Sequence, residues 1–463
     1  MRAAVSLLAA AAVGALGALA FAGPRSDTWP FTATVDDLIG WSSTQSTATT
    51  AGQALVVVTV ALAAAFRLPT RIAPWILAAV FVAVLAFTKV AIPEAASLAV
   101  FTALHVLKSC AAGLAVGFVL YATRHSRAGW VALASGLLGG TLLASVGTTP
   151  ATSAFVATRL DSTSVFGEPA WWLIGAAFVL VIAAAVLHRP IGDDPEISGG
   201  ELARITVYAV IVALVCRLGV EFVGTGEYAL WKAITVLVVA VIVVDRVAAR
   251  WEAADARTVI VAVLATSSAI AVWNAGSRTL IDSRLLTVIG IAGVALGAAV
   301  AWRAPMGRIL LLVAAVLLAG VPLVVALVDQ DVVAAVALGV VAALIPIALT
   351  AASPDGPHAS VRPLALSLPG LALLFAAAAP VPTGSLAALL SADLGGLEGM
   401  DGQATGSISI LGNAGEYFRD GTLVERASGD LTSAFLMLGV GVACVLRLAW
   451  LSRRPTQPDP VPQ

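Results

Sequence analysis

Charge is what this chain most lacks. Of 463 residues only 11% are charged, while 60% are apolar; an ordinary soluble domain carries about 25% charged residues. The net charge of −1 gives no long-range attraction for nucleic acid. Cysteine is scarce too. Cys110, Cys216 and Cys444 all fall inside apolar runs, which argues against a disulfide framework and a thiolate metal site. None of the four histidines has ligand spacing to a cysteine or carboxylate, so no metal or other cofactor is expected. The apolar runs do not alternate with polar residues, which excludes the strands of a membrane barrel.

What is present is apolar length. Fourteen apolar stretches are joined by short polar segments, at about 3–22, 51–66, 75–92, 96–122, 129–147, 170–187, 204–223, 229–247, 257–275, 285–302, 308–328, 331–350, 361–381 and 432–450. A bilayer-spanning helix needs about 20 apolar residues, and helices satisfy their own backbone in hydrocarbon. The reading is an all-α, polytopic membrane protein with about fourteen transmembrane helices. The second stretch is short and is extended back toward Thr47. Alanine, valine and glycine are abundant, as close helix packing in lipid favours. Tryptophans at the ends of runs, among them Trp75, Trp130, Trp171, Trp172, Trp302 and Trp450, match an interfacial belt.

The arginines orient the chain. With the N-terminus inside, the inner joints hold Arg67, Arg71, Arg124, Arg127, Arg189, Arg250, Arg303 and Arg308, among others; the outer joints hold Arg25, Arg159, Arg278, Arg284, Arg419 and Arg426. This inner excess predicts a multi-pass protein of the cytoplasmic membrane with both termini cytoplasmic. Arg2, the first apolar run and Ala20-Phe21-Ala22 would also make a signal peptide, but the run is long for a signal core and is read as a retained helix. Outside lie residues 23–50 and the long loop 382–431.

Few side chains can carry chemistry inside the membrane, where ionisable groups are costly. His105 and Lys108 lie three apart near the middle of the fourth run, on one helical face. They read as a site for an anionic group, either a lipid phosphate or a carboxylate. The plain alternative is a lysine held by backbone carbonyls beside a packed histidine. Arg217 and Glu221, four apart on the seventh run, read as an internal ion pair or a coupling pair. Lys89, Glu94, Glu227 and Lys232 are expected to snorkel to the interface, and Asp245 and Arg246 to pair there. The first six and last six runs hold no Asp or Glu in their interiors, which removes the membrane carboxylate that proton-coupled exchange usually needs. Pro322, Pro346, Pro369 and Pro380 interrupt the later runs and are read as kinks.

Three local patterns carry a family resemblance. Phe66-Arg67-Leu68-Pro69-Thr70-Arg71-Ile72-Ala73 joins runs two and three, His105-Val106-Leu107-Lys108-Ser109-Cys110-Ala111 lies in run four, and Gly136-Leu137-Leu138-Gly139-Gly140 in run five. Together with the layout of runs they resemble the major facilitator superfamily, and more narrowly its fourteen-helix drug:proton antiporter branch. The family's joint reads glycine-Arg-Leu-x-Asp-Arg-x-Gly; here Arg67 and Arg71 remain, and Thr70 stands for the aspartate. Its fourth-helix pattern reads Arg-x-x-Gln-Gly-x-Gly, where this chain has His105 to Ala111. The resemblance implies a six-helix bundle at 1–190, two inserted helices and a linker at 191–256, and a second bundle at 257–463. It also implies alternating access around a midplane site.

The expected function is a transporter, not an enzyme, moving an amphipathic or anionic small molecule or a lipid. Membrane lipid is an expected partner, and loop 382–431 is a candidate docking surface for a protein. Two other readings stay open: a transporter-like scaffold without transport, and a polyprenyl-sugar-dependent glycosyltransferase using Asp36 and Asp37 in the first outer loop.

Overall fold

A computed structural model describes residues 2–21, 47–65, 72–91, 98–124, 126–146, 169–187, 253–276, 281, 283–303, 307–328, 330–352 and 438–452, with scattered residues of 203–249. Among the described residues there is no strand. The helices are α1 (Arg2–Phe21), α2 (Thr47–Ala65), α3 (Ala73–Val90), α4 (Leu98–Thr123), α5 (Arg127–Val146), α6 (Trp171–Leu187), α7 (Ala253–Gly276), α8 (Ser283–Arg303), α9 (Arg308–Leu327), α10 (Asp331–Ala352) and α11 (Leu438–Ser452). Of these, α1, α3, α4, α8, α9 and α10 are long and apolar enough to cross a membrane.

The helix ends follow local chemistry. Helix α3 opens on Pro74, whose missing N–H is harmless in a first turn. Asp331 in the first turn of α10 faces the positive end of the helix dipole. Ser126 caps α5, accepting a hydrogen bond from the Gly129 amide at 3.1 Å. Pro322 and Pro346 lie inside α9 and α10, as the sequence indicates.

The outer surface is greasy. Val80, Phe87, Val179, Val186, Leu296, Ile309 and Val332 are all exposed. Water would penalise such a surface at about 25 cal/mol per Å² of apolar area, whereas lipid chains accept it. Length and surface together fit this helical protein to a bilayer.

The helices pack in two groups that are contiguous in sequence. Helix α4 touches α1, α2 and α3, and α10 touches α7, α8 and α9. Each group is thus built around its fourth member. Helix α6 completes the first group against α1 and α3. In the second, Gly441 of α11 lies against Ala319 of α9. Helix α5 sits at the seam, packed on α1 and α4 on one side and on α7, α8 and α10 on the other.

Glycine makes the closest crossings possible. A Cβ on Gly140 would lie 2.8 Å from the Ala15 backbone, and one on Gly293 2.6 Å from the Gly339 carbonyl oxygen. Gly136 and Gly297 meet the Ala11 and Ala343 backbones more tightly still. Each pair, 136 with 140 and 293 with 297, is spaced four apart, so one small-residue stripe faces each neighbour. The tryptophan belt needs correction. Trp75 and Trp130 are only 1% exposed, turned into the core, while Trp171, Trp172, Trp302 and Trp450 are outward.

Candidate functional site

Helix α4 positions the two polar residues singled out above. Lys108 is ten steps from Leu98, about 15 Å along the axis, and about 22 Å from the other end. It is 2% exposed and His105 is 3% exposed. The two lie three residues apart on α4. One residue on, the buried Ser109 hydroxyl donates to the His105 carbonyl at 2.9 Å, a back-bond that spends its proton on the helix. The face therefore holds a lysine, an imidazole and a hydroxyl oxygen within a largely apolar span.

Among the described residues only Arg124 joins Lys108 and His105 as a buried basic side chain. Arg124 is the ordinary case. It ends α4, its Nη1 donates to the Tyr121 carbonyl at 2.8 Å, and its guanidinium stacks 3.7 Å from the Tyr121 ring centroid. A cation at a helix C-terminus is favoured by the helix dipole. Lys108 has no helix end nearby. A groove of about 940 Å³ runs along α4, lined by Ala99, Thr102, Ala103, Val106, Leu107 and Cys110, on a different face from His105 and Lys108. The lining is mostly apolar, with Thr102 and Cys110 in it.

A second polar cluster lies where α4 passes into α5 and was not singled out from the sequence. Arg127, half-buried at the start of α5, donates from Nη2 to the Thr350 carbonyl in the last turn of α10. Thr258 of α7 donates to the Ala352 carbonyl at 3.1 Å. The available signal was a serine and an arginine opening a helix directly after a tight joint. Arg308 Nη1 also donates to the Ser452 carbonyl at 3.0 Å, tying α9 to α11.

Two other charged residues find partners within the protein. Asp245 pairs with Arg447 of α11 at 2.8 Å, a protein partner in place of the interface alone. Lys89 donates to the Pro169 carbonyl at 2.7 Å and lies 5.1 Å over the Trp171 ring, so its charge is held by the protein at a helix end. Arg67, Arg71, Arg217, Glu221, Asp36, Asp37, run 361–381 and loop 382–431 lie outside the described residues. No known protein family matches the chain, and no curated protein matches it.

Proposed function

We propose that the chain is a carrier of the major facilitator type, with fourteen helices arranged six, two and six, moving an anionic or amphipathic small molecule or a lipid across the cytoplasmic membrane. His105 and Lys108 would hold its anionic group, and the arginine-rich joints would face the cytoplasm. The two groups built alike around α4 and α10 support a repeated architecture. The observation that carries the site is the burial of Lys108 at mid-helix. A lysine at a helix centre costs about 2.5–3.5 kcal/mol to insert, and α10 fills the matching place in its group with apolar residues alone. The two central helices therefore differ in one buried cation. An anionic ligand would neutralise it.

The test compares lipids and metabolites of cells with and without the protein, then reconstitutes the species that accumulates. Lys108→Ala is expected to abolish its flux while the protein stays inserted. Unchanged flux would remove Lys108 from the mechanism. Orientation is checked separately: Ser407→Cys should react with an impermeant thiol reagent from outside the cell, and labelling only after permeabilisation would reverse the topology.

A further inference from the structure

The geometry points to a latch between the two helix groups, in which Arg127 of α5 holds the carbonyl end of α10. The inference rests on the carrier reading, because it assigns the contact to closure of one end of the bundle.

A helix leaves its last four carbonyls without intrahelical donors. Two of those ending α10 accept from other helices: Thr350 from Arg127 and Ala352 from Thr258. Thr258 belongs to α7, so its bond stays within the second group. Arg127 is 223 residues from Thr350 and crosses between groups. A guanidinium meets the negative pole of α10 there, so the bond is charge-assisted as well as capping.

Arg127 stands on a rigid corner. Thr123 donates to the Val119 carbonyl at 2.8 Å, Arg124 is fixed on Tyr121, and Ser126 caps the next helix. A Cβ on Gly129 would lie 2.8 Å from the Thr123 Cβ, so the two helices meet without slack. Such a corner moves as one piece with α4 and α5. Because the acceptor is backbone, no rotamer change at Thr350 can follow a departing Arg127. Separation of α5 from α10 beyond what the Arg127 side chain itself can span breaks the bond. The same α4 carries His105 and Lys108, so occupation of that site and the state of the latch share one rigid element.

Spin labels on Ile72→Cys and Gly307→Cys, in a chain with Cys110, Cys216 and Cys444 replaced, report the distance between groups at this end. Ile72 is 44% exposed, and a side chain at Gly307 meets nothing within 4 Å. The wild-type chain is expected to show mainly the short distance. Arg127→Met should make a longer distance the major population, and Thr258→Val should shift it less. Arg127→Gln, too short to reach, serves if Arg127→Met does not fold. An unchanged distance distribution in the folded variant overturns the latch. The readout needs no substrate. Lys108→Ala with normal flux beside an opened Arg127→Met would sink the site and keep the latch, and the converse pair would do the opposite.

Discussion

Helices α4 and α10 each touch the three helices that precede them in their group, yet one buries Lys108 and His105 while every buried residue of the other is apolar. They differ in their ends as well. Helix α4 terminates on its own arginine, Arg124, whereas α10 borrows Arg127 and Thr258 from neighbours. One protein thus shows what a central helix needs for packing and, in α4, what it holds beyond that. Small residues and close backbones suffice for the packing. The lysine at mid-helix is the point of difference, and the proposed site gives it a use.

The largest effect should come from giving α10 what α4 has. Leu338 is 3% exposed, and Leu338→Lys nearly conserves volume while adding a charge. It should cost about 2.5–3.5 kcal/mol and sharply lower the yield of folded protein in detergent. A fully stable Leu338→Lys variant would show that central helices of this bundle tolerate lysine freely, and the comparison would lose its force.

The glycine seams should differ next. A methyl on Gly297 meets the Ala343 backbone, while one on Gly117 meets first the Ala61 side chain, at 2.6 Å. Gly297→Ala is expected to lose about 1–3 kcal/mol as overpacking, and Gly117→Ala less, since its nearest backbone atom, the Val58 carbonyl oxygen, would lie at 2.9 Å. Denaturation of both variants checks the order; the reverse order would mean that α2 against α4 is the tighter seam. Smaller still is Ser268→Ala. Its hydroxyl reaches the Leu318 carbonyl at 2.6 Å and ties α7 to α9. Interhelical hydrogen bonds in membrane proteins average about 0.6 kcal/mol, and a melting shift well beyond that would mark Ser268 as more than a tie.

The helices were legible in the sequence because apolar run length is a strong signal. The run at 75–92 is α3, Ala73–Val90, and the extension of the second run toward Thr47 is where α2 begins. His105 and Lys108 stood out for the same reason, as rare polar groups in apolar surroundings. Pairing was not legible. Gly136 and Gly140 announce a close neighbour without saying that it is α1. Trp75 and Trp130 read as interfacial because run ends usually are, but burial depends on which way the helix is turned. Arg127 read only as an inner-joint charge, because its acceptor is a main-chain oxygen that no side-chain pattern encodes.

In the proposed carrier, Lys108 serves a ligand's anionic group and not the fold. The direct measurement is thermal unfolding of the purified wild-type chain and of Lys108→Met, each with and without a small dicarboxylate, inorganic phosphate and an anionic phospholipid. Lys108→Met is expected to melt at the same temperature or higher, and an anion to raise the wild-type midpoint but not the variant's. A variant that melts well below the wild type, with no anion separating the two, would make Lys108 a structural residue and rule out the proposed site.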